Sequence, residues 1–287
     1  MILGQHYNKL HELGAGWTTS MSPRLVCVAT LHWPDIEISP GLFYFSKSDA
    51  VFSKIPDGVE VILSNSGTPR FYSSRPNEDG NAVFQTGTLA EPVDFRKFRT
   101  YLRTMKKRYP AIKYVEGPNE PGPGSGYCSS AMPEILNWQR AVWQEFGSSL
   151  NVISAPVILT EDGFDTLKGL MATQGLHTVG VHFYSTKLDP MELETALYRV
   201  RQIIDRSGNT GKPIAITEMG CNPPPYGIAR LRDLPSAVQT SFWESHIPVA
   251  AKYAAIIIPF AYDDTDHGWK GNNMVESAMN NLQARYE

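Results

Sequence analysis

Short apolar runs alternate with longer amphipathic segments along the whole chain. The runs fall at residues 1–4, 25–31, 59–63, 112–115, 151–154, 179–183, 213–217 and 254–260. Most are continuously apolar, which is how strands buried on both faces of a parallel sheet read. The segments between them carry apolar residues at helical spacing. Phe95, Phe98, Leu102 and Met105 form one stripe, Ile135, Trp138, Val142 and Phe146 a second, and Leu193, Leu197, Val200 and Ile204 a third. Lys, Arg, Glu or Gln residues stand opposite each stripe. Residues 236–251 and 273–286 read as further helices, and 162–172 as a weaker one.

Strand–helix alternation predicts an α/β fold, a parallel sheet covered by helices. Eight strand candidates fit a closed (β/α)8 TIM barrel better than an open doubly wound sheet. No GxGxxG or GxxxxGK[ST] motif follows any of them, which argues against a nucleotide fold. The expectation is one barrel domain over residues 1–287. Two connections are irregular. Residues 5–24 carry little helix pattern, and residues 64–90 form a long segment rich in Pro, Gly, Asn and Ser. A loop that long is normally functional, and a barrel would place it on the C-terminal rim, beside the chemistry.

Composition removes several alternatives. Lys plus Arg number 26 and Asp plus Glu 29, for a net charge of −3. Such a chain lacks the basic footprint of a nucleic-acid binder. No apolar run approaches the ~20 residues of a membrane span, so no membrane insertion is expected. Charged residues at 19% with hydrophobic ones at 42% exclude disorder. Cys27, Cys128 and Cys221 are too widely spaced for a metal motif or a disulfide framework and read as unpaired thiols. The first residues, MILGQHYNKL, show no basic region ahead of an apolar core, hence no signal peptide. The expectation is a cytoplasmic protein, or one released by a non-classical route or lysis.

Two acids stand at strand ends. Glu120 follows the fourth run and Glu218 the seventh. Acids at the tips of apolar strands read as catalytic at the C-terminal rim of a barrel. Positions four and seven of eight lie nearly across the mouth, so the two carboxyls can flank one bond of a substrate. Glycoside hydrolysis asks for that arrangement: one carboxyl protonates the leaving oxygen, while the other attacks the anomeric carbon or activates water. Two carboxyls so close cannot both ionise easily, and the one acting as acid must hold its proton. Pro121 pushes Glu120 out of the α region, stiffening the loop. His182 and Tyr184, two apart, share one face of their strand. Glu116 reads as a paired structural carboxylate. Aromatic residues gather after the strands, among them Tyr7, Trp33, Tyr44, Phe71, Tyr72, Tyr127, Tyr226, Tyr262 and Trp269. Sugar rings stack on such side chains. His32, Asp35 and Glu37 show no metal-ligand spacing, and no metal or cofactor is expected.

Asn119-Glu120-Pro121 after the fourth strand, with Glu218 ending the seventh, resembles glycoside hydrolase clan A. The segments Trp33–Glu37 with Pro40-Gly41 and Phe43–Phe45, Ser66–Ser74 and Val181–Tyr184 resemble family 39 and its relatives. The resemblance implies a retaining glycosidase with Glu120 as acid/base and Glu218 as nucleophile. It also implies that Asn119 binds the sugar 2-hydroxyl and that Tyr184 contacts the nucleophile. His182, Trp33, Tyr262 and Trp269 are the further substrate-binding candidates. Two departures stand out. Gly117-Pro118 replaces the Trp that many clan members carry before Asn-Glu-Pro, and Phe260-Ala261-Tyr262 occupies the stretch where many carry Trp. Trp269, in the next loop, is the candidate replacement. The expected substrate is a β-linked polysaccharide or oligosaccharide cut internally. An exo-acting glycosidase and a non-catalytic glycan-binding barrel are the alternatives.

Overall fold

The computed structural model describes residues 1–7, 23–29, 31–173, 175–221, 234–260 and 273–286. All eight apolar runs are strands. They appear as β1 (Ile2–Leu3), β3 (Leu25–Val28), β6 (Glu60–Asn65), β7 (Ile112–Pro118), β8 (Asn151–Ile153), β10 (Val179–Ser185), β11 (Ile214–Cys221) and β12 (Ala254–Pro259), with β2 (Gln5–Tyr7) and β9 (Val157–Ile158) as two short parallel strands outside the runs. A small antiparallel pair, β4 (Glu37–Ser39) and β5 (Leu42–Phe43), is an addition to the sequence expectation. The helices are α1 (Trp33–Ile36), α2 (Ser46–Phe52), α3 (Phe95–Arg108), α4 (Met132–Phe146), α5 (Glu161–Leu170), α6 (Pro190–Arg206), α7 (Ser236–Ala250) and α8 (Asn273–Tyr286). The six longer ones match the amphipathic segments.

Two five-stranded sheets result, in the orders β1-β12-β11-β10-β9 and β2-β3-β6-β7-β8. Every pairing within them is parallel. The sheets meet at two places. At Gly4 the chain passes from β1 in one sheet to β2 in the other, and its amide donates to the Ile257 carbonyl at 2.9 Å. A Cβ there would stand 2.5 Å from the Leu25 carbonyl oxygen, so only glycine fits. Across the other seam, Ile153 bridges Thr178, and the Ser154 amide donates to the Thr178 carbonyl at 2.9 Å.

Side chains sort by strand alternation. Val26 and Val28 join the large cluster that faces the helices, with Leu193, Leu197, Val200 and Ile204 from α6. Each of those four α6 side chains is fully buried, which contributes roughly 1.5–3 kcal/mol apiece. Leu25 and Cys27 point the other way. They join Ile62, Ile153, Ala215, Ile256 and Ile258 in a second cluster drawn from both sheets. Caps fix the helix starts: the Asp94 side chain accepts from the Arg96 amide ahead of α3, and Asp189 from the Met191 amide ahead of α6. No helix among the described residues is long and apolar enough to cross a membrane. The three cysteines are free and buried.

Several strands outrun their apolar runs. The first continues through Gln5–Tyr7, where the sequence pattern suggests an irregular connection. The run at 59–63 continues to Asn65, that at 112–115 to Pro118, that at 179–183 to Ser185 and that at 213–217 to Cys221. Each extension lies at the C-terminal end, and most carry buried polar residues. Those residues build the site.

Candidate active site

The fourth strand position leads into the site through a constriction. On β7, Tyr114 faces the inner cluster and Val115 the helices. At Gly117 a Cβ would lie 2.6 Å from the Ala155 amide nitrogen and 2.5 Å from Gln139 Oε1. Gln139, on α4, occupies that space because it ties the segment between β8 and β9 to the segment that leads into β10. Its Oε1 accepts from the Ala155 amide at 2.9 Å and its Nε2 donates to the Gly175 carbonyl at 2.9 Å. A larger residue would displace this junction, which explains glycine at that position. Gly117→Ala is expected to cost about 1–3 kcal/mol by forcing backbone movement. Urea denaturation checks this; an unchanged midpoint would show that the junction yields freely.

Beyond Pro118 the backbone is pinned. The Asn119 amide donates to the Asn65 carbonyl at 2.8 Å, and the Glu120 amide to the Pro156 carbonyl at 3.0 Å. Glu120 has φ +40°, a left-handed conformation that costs an L-residue on the order of 1–3 kcal/mol. The Ser125 hydroxyl donates to the Glu120 carbonyl at 2.5 Å and helps hold it there. Asn119 is buried, and its Oδ1 has no hydrogen-bond partner among the described residues.

Glu218 reaches the same place by a different device. On β11, Ala215 faces the inner cluster and Ile216 the helices. Simple alternation would send Glu218 outward with Ile216. The register shifts against both neighbouring strands, between Val181 and His182 on β10 and between Ile216 and Met219 on β11. Such bulges re-aim side chains. Here Glu218 sits opposite His182 and Met219 turns to the helices.

His182 lies between the two acids. Its Nδ1 is 2.8 Å from Glu120 Oε1 and 3.6 Å from Glu218 Oε2. One oxygen of each carboxylate and one nitrogen of His182 all lie within 4.8 Å of one another. Among the described residues these three are the group whose spacing suits a shared cation. Glu218 has two more partners. The Tyr184 hydroxyl donates to its Oε2, and His6 Nε2 stands 3.4 Å from its Oε1. Phe260 braces both partners, with its ring centroid 4.6 Å from that of His6 and 5.7 Å from that of Tyr184.

These contacts set the charges. Burial alone would push the Glu218 carboxyl up, but His182, His6 and the Tyr184 hydroxyl outweigh it and hold the pKa down at about 2. Burial likewise opposes charge on His182, yet Glu218, Glu120 and Glu116 raise its pKa from 6.5 to about 9. Burial, then the charges of Glu218 and Glu120, push the Tyr184 phenol well above its usual range, so it stays a donor. Glu116 is fully enclosed beneath this group, and burial raises its pKa. A raised histidine pKa stabilises the fold fully below 6.5, and that contribution is lost as pH rises through about 9. The lowered Glu218 pKa stabilises above 4.5 and loses its effect as pH falls toward about 2. His182→Gln should therefore flatten the alkaline loss of stability between pH 6.5 and 9. Denaturation midpoints compared across that range check it; parallel curves would contradict it.

The long loop after β6 and the loop after β7 are knitted into one wall. Arg75 binds Glu91 at 3.2 Å, and its Nη2 donates to Ser129 Oγ at 2.9 Å. Ser129 in turn donates to Glu78 at 2.7 Å. Beside Glu120 a cleft of about 600 Å3 opens between the 121–127 loop and the start of α5.

The structure thus brings Glu120, Glu218, Asn119, His182 and Tyr184 together. Trp33 is a correction. It is 1% exposed, its Nε1 donates to Glu37 at 2.7 Å, and its ring packs against Tyr72, Phe98 and Tyr101. It offers no face to a ligand. Tyr262 and Trp269 lie outside the described residues, as does Tyr226. His6 is the residue that sequence reasoning passed over, and Phe260, noted in the sequence only as a departure from the clan pattern, packs against it. The signal for His6 was present as two polar residues, Gln5 and His6, directly following an apolar run.

No family model matches the chain. No curated protein matches it either. Solved structures do. A glucosidase from Croceicoccus marinus aligns over 99% of this chain and 67% of its own, with a TM-score of 0.67 and 15% identity. A monomeric β-xylosidase from Caulobacter crescentus aligns over 91% of this chain and 62% of its own, with a TM-score of 0.70 and 14% identity. A curdlan-specific exo-β-1,3-glucanase of family 128 from Blastomyces gilchristii aligns over 97% of both chains, with a TM-score of 0.60 and 11% identity. Other matches are glycoside hydrolases of families 39, 30 and 26. This chain spans about two thirds of the length of the first two. The likeness is one of fold: an α/β architecture of parallel strands shared with clan A glycosidases.

Proposed function

We propose that this chain is a retaining glycoside hydrolase that cuts β-linked polysaccharide or oligosaccharide, endo-acting, with Glu120 as acid/base and Glu218 as nucleophile. The observation that carries the reading is the facing pair of acids, with an oxygen of each within 4.8 Å of the other and of His182. Retaining enzymes hold their carboxyls ~5–5.5 Å apart and inverting ones ~6.5–9.5 Å, so the closeness favours direct attack over activation of a water between them. The two sheets are then halves of one (β/α)8 barrel, a single catalytic domain with its interior filled by the cluster from both sheets. That places both acids at the C-terminal rim.

The roles follow from the contacts. Glu218 is kept ionised by His182, His6 and Tyr184, as a nucleophile requires. His182 Nδ1 and Glu120 Oε1 stand 2.8 Å apart, so a proton on the histidine can pass to Glu120. Glu120 delivers it as the glycosidic bond breaks and Glu218 bonds to the anomeric carbon. Glu120 then takes a proton from water, whose oxygen displaces Glu218 and restores the original configuration. The unpartnered Asn119 Oδ1 accepts from a sugar hydroxyl at that centre.

A panel of β-glucans, xylans and mannans, with products followed by chromatography and early proton NMR, tests the reading. Internal cleavage with retained configuration is expected. Release of single sugars from one end would replace endo with exo action, and an inverted product would overturn the nucleophile. Dialysis against a chelator is expected to leave activity unchanged. Loss restored only by a divalent cation would assign the Glu120–His182–Glu218 group to a metal instead.

A further inference from the structure

Helix α3 is charged in one sense only. Its 14 residues carry seven Lys and Arg and no Asp or Glu. The other 19 of the 26 Lys and Arg in the chain stand against all 29 Asp and Glu, so one cationic helix is carried by an otherwise acidic molecule. Its apolar stripe turns Phe98, Leu102 and Met105 to the core. The opposite face shows Arg96, Thr100, Arg103 and Lys107 to solvent, at i, i+4, i+7 and i+11.

The neighbouring elements neutralise only part of this charge. Among the described residues the ion pairs of α3 reach three acids: Asp94 at its own N-cap, Glu145 on α4 and Asp49 on α2. Glu145 is shared by Arg99 and Arg103, at 3.2 and 2.7 Å. Lys106 instead donates to the carbonyls of Pro110 and Ile112. Lys97 and Lys107 take part in none of these pairs, and Lys97 Nζ lies 5.7 Å from the centre of the Tyr72 ring.

Helix electrostatics does not ask for such a face. Lys106, Lys107 and Arg108 in the last turn complement the helix dipole, but Arg96 and Lys97 in the first turn oppose it. Arg99 with Arg103, and Arg103 with Lys107, are like charges one turn apart and repel. An anionic partner relieves both conflicts. Every exposed residue of α3 is Lys, Arg or Thr, so the face lacks the apolar side chains with which a helix settles into a membrane. The acidic remainder of the molecule repels a polyanion elsewhere, which suits one thin chain lying along one helix rather than the broad footprint of a duplex. The face is about 21 Å long. It begins just after Glu91, which Arg75 ties into the wall formed by the loops after β6 and β7.

We propose that the outer face of α3 binds an acidic glycan, a polysaccharide whose sugars carry carboxylates. Resting on the glycosidase reading, this face holds one stretch of an acidic substrate chain against the flank while another stretch occupies the site. Arg96 and Arg103 offer planar forks that suit carboxylates, and Lys97 and Lys107 add charge between and beyond them.

Binding of fluorescein-labelled β-1,4-glucuronan oligosaccharides, followed by anisotropy, tests this, with neutral cello-oligosaccharides alongside. Binding of the acidic probe is expected to weaken as salt rises from ~50 to ~200 mM. The double variant Lys97→Glu/Lys107→Glu is expected to bind it about 10-fold more weakly or worse, with no change toward the neutral probe or in hydrolysis of short neutral substrates. Lys97→Gln/Lys107→Gln, which removes charge without reversing it, is expected to lose less. Lys187→Glu/Lys252→Glu makes the same change in net charge at exposed lysines elsewhere and is expected to stay within about 2-fold of the parent. Unchanged binding in the α3 variants, or an equal loss in the control pair, overturns the proposal. Tighter binding to duplex DNA or to phosphatidylserine vesicles than to glucuronan overturns the choice of partner. The same titrations in Glu218→Ala are expected to match the parent, so a failure of the glycosidase reading would show in turnover and leave this binding intact.

Discussion

Glu218→Ala is expected to lower turnover by at least ~10,000-fold, because removing a nucleophile leaves only binding and the remaining acid. The loss should appear in kcat on every substrate. The site gives a specific reason to expect rescue. Truncation opens space beside Tyr184, His6 and His182, three groups arranged around a negative charge. A small anion such as azide fits that space and can attack the anomeric carbon from the same face. With a β-glycoside it should give the inverted glycosyl azide. Full activity in Glu218→Ala, or a rescued product of retained configuration, would contradict the role.

Glu120→Gln is expected to reduce glycan hydrolysis ~100- to 10,000-fold, the usual contribution of a positioned acid. The variant keeps the hydrogen bond to His182 in shape but has no proton to give. An aryl glycoside with a good leaving group needs no acid in the first step and should lose much less. Its glycosyl–enzyme should then accumulate, since water is no longer activated, and appear as a burst of released phenol. In Glu120→Ala, azide should give the retained product, the mirror of its effect at Glu218. Equal losses on activated and unactivated substrates would remove the acid assignment.

Much of the fold was legible because buried parallel strands and amphipathic helices leave strong, distinct periods. The stripe Leu193, Leu197, Val200 and Ile204 is fully buried on α6, and residues 273–286 form α8 as read. Apolar runs located strand cores but not strand ends. Beyond Gly4, Leu63, Val115, Phe183 and Thr217 the strands continue through segments that mix buried polar residues, such as His6, Asn65, Glu116, Ser185 and Glu218, with core ones such as Tyr7 and Met219, and so break the apolar pattern. His6 escaped notice for that reason: its partner Glu218 is supplied by a strand far along the chain.

Aromatic residues near strand ends were the least readable part. Trp33 stands in a segment that resembles family 39 and is a substrate-binding candidate in the sequence, yet its Nε1 donates to Glu37, and the Tyr72 hydroxyl donates to the same carboxylate at 3.0 Å. That trio anchors the β4–β5 hairpin against the long loop. Only the tertiary partner distinguishes an anchor from a platform, and no local pattern encodes it. Glu218 shows the converse. Alternation alone would have turned it to the helices, and the bulge that brings it inward has no periodic signature.

The bond that the account requires between Glu218 and the anomeric carbon can be trapped. A 2-deoxy-2-fluoro glycoside of the preferred sugar, carrying a good leaving group, slows release of that intermediate, and peptide mass spectrometry locates it. One label per chain on Glu218 is the predicted result. A label on any other residue, or turnover with inversion and no label, would contradict the account.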